Sequence, residues 1–185
     1  MTKKFTLILG GARSGKSTYA EKLAAESGRD VLYVATAQAW DDDMKARIAV
    51  HKAERPSHWQ TLEVTNNVGE AITTYIQTNQ FDDCPTILLD CMTMLASNVV
   101  LALPEPILVD EATDALHQEV DGLLQVYEAN TMQLIIVSNE VGLGIVPAYP
   151  LGRVYRDALG RANQRLATQA DEVLFMVAGL PMRVK

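Results

Sequence analysis

Phe5-Thr6-Leu7-Ile8-Leu9-Gly10-Gly11-Ala12-Arg13-Ser14-Gly15-Lys16-Ser17 decides how the chain folds. A short apolar run feeds a glycine-rich turn, and an amphipathic stretch from Lys16 to Glu26 follows. The order strand, GxxxxGK[ST], helix is the context in which this pattern carries meaning. Glycines let successive backbone N–H groups turn inward and meet phosphate oxygens with no Cβ between them. A helix opening near Lys16 adds the positive end of its dipole to the same cradle. Lys16 supplies an ammonium for β- and γ-phosphates, and Ser17 a hydroxyl suited to Mg²⁺. Gly10, Gly11, Ala12, Arg13, Ser14, Gly15, Lys16 and Ser17 therefore read as a loop that holds a nucleoside triphosphate.

Four more apolar runs follow, at Val31–Ala35, Thr86–Leu89, Gln133–Ser138 and Glu172–Val177. Near-continuous apolar character suits strands buried on both faces of a largely parallel sheet. Between them, Ala112, Leu116, Val120, Leu123 and Tyr127 fall on one face of a helix. Alternating strands and helices predict an α/β fold with right-handed crossovers and helices on both faces of a central sheet. Leu103-Pro104-Glu105-Pro106 interrupts the pattern as a surface connection, since two prolines forbid continuous helix or ladder pairing. With 185 residues, the chain is expected to form a single nucleotide-binding catalytic domain over 1–185.

Apolar residues make up 48% and charged residues 21%, and the net charge is −7. That balance argues against non-specific nucleic-acid or anionic-membrane binding, which needs a broad basic footprint, but leaves room for a local cationic pocket. Cys84 and Cys91 match no metal or redox spacing and fit a reducing compartment. Lys3-Lys4 precedes an apolar run too brief for a signal-peptide core or a spanning helix. A cytoplasmic protein without stable membrane insertion is expected.

Thr86-Ile87-Leu88-Leu89-Asp90 is an apolar strand ending in a carboxylate, the form that holds a nucleotide-bound metal. Ligands of such sheets sit beyond the C-terminal strand ends, where Gly10 and Asp90 both lie. Asp90 is thus a metal partner with Ser17, or else a cap for the helix that follows. Glu140, after the fourth run, either orients a substrate hydroxyl or is a solvated turn residue.

Asp41 to Arg55 reads as a cationic helix. Three aspartates favour its N-terminus and Pro56 ends it. Arg47, His51 and Arg55 recur every four residues on one side, with Met44 and Ile48 on an adjoining strip as anchors. Two guanidiniums beside an imidazole suit a bound polyphosphate, and their field disfavours the cationic imidazole. His51 is either a neutral nucleophile or a partly exposed histidine on a charged helix. His58 and His117 have no comparable surroundings.

The same residues resemble the bifunctional adenosylcobinamide kinase / adenosylcobinamide-phosphate guanylyltransferase family. The likeness runs in order through the loop with Ala20-Glu21, Tyr33-Val34-Ala35-Thr36-Ala37, Asp42-Asp43-Met44, Arg47-Ile48, His51-Lys52 and Arg55-Pro56. It resumes at His58-Trp59, Thr61, Glu63, Leu88-Leu89-Asp90-Cys91-Met92-Thr93, Asn98 and Ser138-Asn139-Glu140-Val141-Gly142, and continues through Gly144-Ile145-Val146-Pro147 to Ala178-Gly179-Leu180-Pro181. The resemblance implies a RecA-like P-loop NTPase fold and a homotrimer. It implies phosphorylation of the aminopropanol hydroxyl of adenosylcobinamide, with ATP or GTP as donor and Mg²⁺ as cofactor. Transfer of GMP from GTP onto that phosphate then follows, through a GMP–histidine intermediate that falls on His51. Family nucleotide contacts fall on Gly10 to Ser17, Ala35, Thr36, Ala37, Lys52, Ala53, Glu54, Arg55, Glu63 and Asp90. Some members carry a second histidine just before the nucleophile, where this chain has Val50. The rival readings are a P-loop small-molecule kinase without a covalent intermediate and a RecA-like regulatory ATPase.

Overall fold

A computed structural model describes residues 3–38, 42–81 and 84–185, apart from the side chains of residues 43, 44, 47, 48, 51 and 54. Its strands are β1 (Lys4–Gly10), β2 (Val31–Ala35), β3 (Gln60–Glu63), β4 (Thr86–Asp90), β5 (Gln133–Val137), β6 (Glu172–Val177) and β7 (Leu180–Arg183). The helices are α1 (Lys16–Glu26), α2 (Asp42–Glu54), α3 (Val68–Thr78), α4 (Met92–Leu101), α5 (Val109–Ala129) and α6 (Pro150–Gln169). All seven strands join one sheet in the order β3-β2-β4-β5-β1-β6-β7. Every pairing is parallel except β6 with β7. The largely parallel α/β fold read from the sequence is the fold observed. β5 lies between the phosphate-loop strand and the Asp90 strand, so the two motif-bearing strands are separated by one.

Alternation along each strand explains the unbroken apolar runs. Phe5, Leu7, Leu32, Val34, Ile87, Leu89, Leu134 and Ile136 point to one face, beneath α3, α4, α5 and α6. Ile8, Val31, Tyr33, Leu88, Ile135 and Val137 point to the other, where they meet Ala20 and Ala24 of α1 and Trp59. Both faces are covered, so both sets must be apolar. The predicted stripe of α5 is buried at Ala112, Leu116, Val120 and Leu123, and Tyr127 tilts against Phe5 with ring centroids 5.7 Å apart. Two short strands escaped the sequence reading. β3 holds only four residues, and all four residues of β7 are exposed. The Pro104–Pro106 segment connects α4 to α5 as expected. No helix among the described residues is long and apolar enough to cross a membrane.

Helices α3 and α5 cross at a pair of glycines. A Cβ built on Gly69 would collide with the Gly122 carbonyl group, whereas one on Gly122 meets nothing nearer than 3.6 Å. Gly69→Ala should therefore wedge the helices apart and lower stability by about 1–3 kcal/mol. Gly122→Ala should hold or slightly raise it, since alanine favours a helix interior over glycine by about 1 kcal/mol. Thermal melting checks the contrast, with a shift of about 2–4 °C expected per kcal/mol for a chain this size.

Candidate functional site

Parallel register assembles the site. Glu63, Ala35, Asp90, Val137 and Ile8 pair across β3, β2, β4, β5 and β1 as one row. The phosphate loop leaves this edge two residues beyond Ile8. Gly10 has φ +156°, and a Cβ there would come within 2.7 Å of both the Met176 carbonyl oxygen and Ser14 Oγ. Gly15 takes φ +89° directly before α1, so the left-handed conformation calls for glycine at that turn. From the other side the β6–β7 turn supports the loop, as Gly179 N–H donates to the Ser14 carbonyl at 2.9 Å.

Lys16 is only 7% exposed and donates from Nζ to the Gly11 carbonyl at 2.6 Å. Burial lowers its ammonium below the ordinary lysine range, with Cys91 and Asp90 opposing that shift. The amine thus waits folded across its own loop.

A cleft of about 890 Å³ opens beside the loop. Ala12 and Ser17 line it from the phosphate loop, and Ala35, Ala37, Glu63 and Asp90 from the ends of β2, β3 and β4. Lys52 and Arg55 line it from the last turn of α2 and the residue just past it. A second groove, about 710 Å³ between α3 and α5, contains none of the residues expected to contact nucleotide.

Asp90 does not cap α4, whose N-terminus carries no side-chain cap. Its Oδ2 instead accepts a bond from the Tyr33 hydroxyl at 2.9 Å. The Tyr33 ring in turn lies under the Arg55 guanidinium, 3.6 Å from carbon to centroid. α2 ends at Glu54, and Arg55, the next residue, carries its guanidinium onto Tyr33 as the chain leaves the helix. Tyr33 is 2% exposed, and burial, the negative Asp90 and its hydrogen bond all push its phenol far above the ordinary range. A buried tyrosine thus joins a carboxylate at one end to a cation at its face. Lys52 Nζ pairs with Glu63 Oε1 at 2.9 Å, both groups exposed.

Thr36 is fully buried and does not itself line the cleft. Its hydroxyl donates to the Cys91 carbonyl at 2.7 Å and accepts from the Cys91 N–H at 2.9 Å, fixing the chain just after Asp90. Asn98 donates to the carbonyls of Thr36 and Thr65 and so ties the ends of β2 and β3 together. Ala53 is exposed. Glu140 braces its own turn, accepting from Gly142 N–H at 2.6 Å. Both cysteines are free thiols, and burial together with Asp90 pushes the Cys91 thiol up to about 11. The side chains of His51, Arg47, Met44, Ile48 and Glu54 lie outside the described residues. Tyr33, Thr93 and Asn139 line the cleft but were not among the residues expected there. The signal for Tyr33 was a hydroxyl in a run whose other members are all apolar.

Hydroxyl and carboxylate oxygens are hard donors, and Ser17 and Asp90 share the cleft, so the pair fits a magnesium ion whose other positions go to phosphate and water. No cluster of three histidine, cysteine, aspartate or glutamate side chains forms a fuller cage among the described residues. Residues 6–184 match the family of cobinamide kinase / cobinamide phosphate guanyltransferase. The chain belongs to this family. It is 42% identical over 179 residues to the bifunctional adenosylcobalamin biosynthesis protein CobP of Pseudomonas aeruginosa, covering 97% of this chain and 96% of that one. Proteins named CobU with the same description are 41% identical in Salmonella typhimurium and 38% in Escherichia coli, each match covering 97% of this chain and 98% of the relative. The family match thus takes in both the phosphate loop and the Asp90 strand.

Tyr33→Phe keeps the ring beneath Arg55 and removes the hydroxyl from Asp90. We expect a stability loss of about 1–2 kcal/mol, and a larger one for Tyr33→Leu, which also removes the platform. Denaturant unfolding of the two variants against the parent measures the difference.

Proposed function

We propose that this chain, as one catalytic domain, phosphorylates adenosylcobinamide and then guanylylates the product, using His51 as a covalent carrier. Family membership supports the two activities, and one structural observation supports a shared site. The end of the helix that bears His51 borders the same cleft as the phosphate loop, through Lys52 and Arg55 on one side and Ala12 and Ser17 on the other.

In the first step the phosphate loop, Gly10 to Ser17, grips the triphosphate of ATP or GTP, and Lys16 exchanges the Gly11 carbonyl for phosphate oxygens. Ser17 and Asp90 would hold Mg²⁺, which when bound supplies positive charge at the β- and γ-phosphate oxygens. The aminopropanol hydroxyl oxygen bonds to the γ-phosphorus as the bridging bond breaks, and the electron pair leaves with the nucleoside diphosphate. In the second step a neutral His51 nitrogen bonds to the α-phosphorus of GTP, and pyrophosphate departs. A phosphate oxygen of the corrinoid then takes the GMP group and the imidazole is released. Arg55, already positioned over Tyr33, and Arg47 offset the charge that develops at the α-phosphate. Ala35, Thr36, Ala37, Lys52, Ala53, Glu54 and Glu63 belong to the nucleotide's surroundings in this reading, and a cytoplasmic location completes it.

A homotrimer is part of the same proposal. A closed ring of three like subunits needs two different surfaces on each. Two apolar ones are exposed here. Leu143, Ile145, Val146 and Tyr149 stand out on the segment after β5, and Leu180, Met182 and Val184 follow the sheet's outer edge. Unpaired apolar edges invite association. Sedimentation should return three times the chain mass, and Ile145→Glu and Met182→Glu should each dissociate it; a monomeric parent protein would refute the assembly.

Incubation with GTP labelled at the α-phosphate should leave acid-labile, alkali-stable label on the parent protein and none on His51→Ala. The variant should keep measurable cobinamide phosphorylation. Lys16→Ala should lose about a hundredfold or more in both steps. Equal labelling of His51→Ala would sink the covalent mechanism and favour a kinase that lacks it.

A further inference from the structure

Beyond β5 the chain continues as Ser138-Asn139-Glu140 past the phosphate loop. Ser138 N–H donates to the Ile8 carbonyl at 2.9 Å and Glu140 N–H to the Gly10 carbonyl at 3.0 Å. These bonds extend the pairing with β1 past the end of β5 and bring Asn139 level with the start of the loop. Asn139 is held from the other side as well. Its N–H donates to Thr93 Oγ1 at 3.0 Å, and its carbonyl accepts from Asn163 Nδ2 at 3.0 Å. Asn163 is buried and has its own Oδ1 fixed by the Ser138 hydroxyl at 2.7 Å. The Thr93 carbonyl accepts from the Tyr155 hydroxyl at 3.0 Å.

Both backbone polar groups of Asn139 are therefore fixed by partners on two helices, α4 and α6. Its carboxamide has no hydrogen-bond partner among the described residues, and Asn139 lines the cleft with Ser17, Asp90 and Thr93. A donor whose backbone is this constrained, facing the cleft and committed to nothing, is preorganised for a ligand. Ser17 and Asp90 mark the end of the cleft that takes the terminal phosphates.

We propose that Asn139 is a catalytic residue of the phosphoryl-transfer step, its amide N–H donating to a γ-phosphoryl oxygen of the bound triphosphate. The substrate oxygen–phosphorus bond forms while the β–γ bridging bond breaks, the electron pair leaves with the diphosphate, and the hydroxyl proton passes to solvent. Charge spreads over the three equatorial oxygens as this happens, and a neutral amide steadies it without adding an ion to a site that already holds Lys16 and Asp90. Histidine guanylylation breaks the α–β bond instead, so Asn139 separates the two chemistries. The inference rests on the two-step reading above.

Asn139→Ala and Asn139→Asp test it, with cobinamide phosphorylation and histidine labelling measured on the same preparations. The ratio of phosphorylation to labelling should fall about a hundredfold in Asn139→Ala, and further in Asn139→Asp, where a carboxylate faces phosphate. Melting temperatures should match the parent, because the carboxamide bonds nothing among the described residues. An unchanged ratio, or a lowered melting temperature with both steps lost together, overturns the role of Asn139. A parent protein that phosphorylates no cobinamide overturns the function itself, a result distinct from the others.

Discussion

In-register parallel pairing is the constraint on which the site depends. Parallel strands begin at one edge of the sheet and end at the other, so whatever follows their C-terminal ends is gathered without further contrivance. Here Glu63, Ala35, Asp90, Val137 and Ile8 form a single row, and every cleft-lining segment from the sheet leaves within a few residues of it. A slip of one residue in β4 would move Asp90 off that row. It would also turn Ile87 and Leu89, both buried, from one apolar layer to the other. Burial on both faces forbids the slip. The same packing that stabilises the sheet therefore sets the distance between carboxylate and phosphate loop.

Much of this was legible in the chain. The glycine-rich loop announced itself because its chemistry restricts residue type at several positions, and Gly10 and Gly15 occupy backbone conformations or spaces that other residues fill badly. The five buried strands announced themselves because two covered faces leave few polar positions within a run. The missing elements are those held by distant partners. α3 begins where Glu119, on α5, accepts hydrogen bonds from the N–H groups of Asn67 and Val68 at 2.6 and 3.0 Å, and no local cap signals that start. β7 is an exposed edge whose four residues carry no buried alternation. Arg55 stands just past the end of α2, where Pro56 stops the helix, and its contact with the Tyr33 ring is one that spacing along a helix does not announce.

Asn139 and Tyr33 were hidden for a different reason. Each is a single polar side chain in or beside an apolar strand, and its meaning lies in partners far along the chain. Tyr33 finds Asp90, and Asn139 finds Thr93 and Asn163. Spacing rules reach along one helix or strand, whereas these contacts cross between elements.

The cleft also reconciles an acidic chain with an anionic substrate. Its cations are not left bare: Lys52 pairs with Glu63, Arg55 rests on the ring whose hydroxyl bonds Asp90, and Lys16 is folded onto Gly11. Exposed pairs such as Lys52–Glu63 are worth little in water, so exchanging them for phosphate costs little. Lys16 is different, because burial disfavours its charge more than Cys91 and Asp90 restore it, while its amine donates to the Gly11 carbonyl. In the proposed function, a triphosphate entering the loop would restore what desolvation removed from Lys16. In the proposed reading net charge governs the approach, and the buried Lys16 ammonium, folded across its own loop, is one of the groups that meets the phosphates.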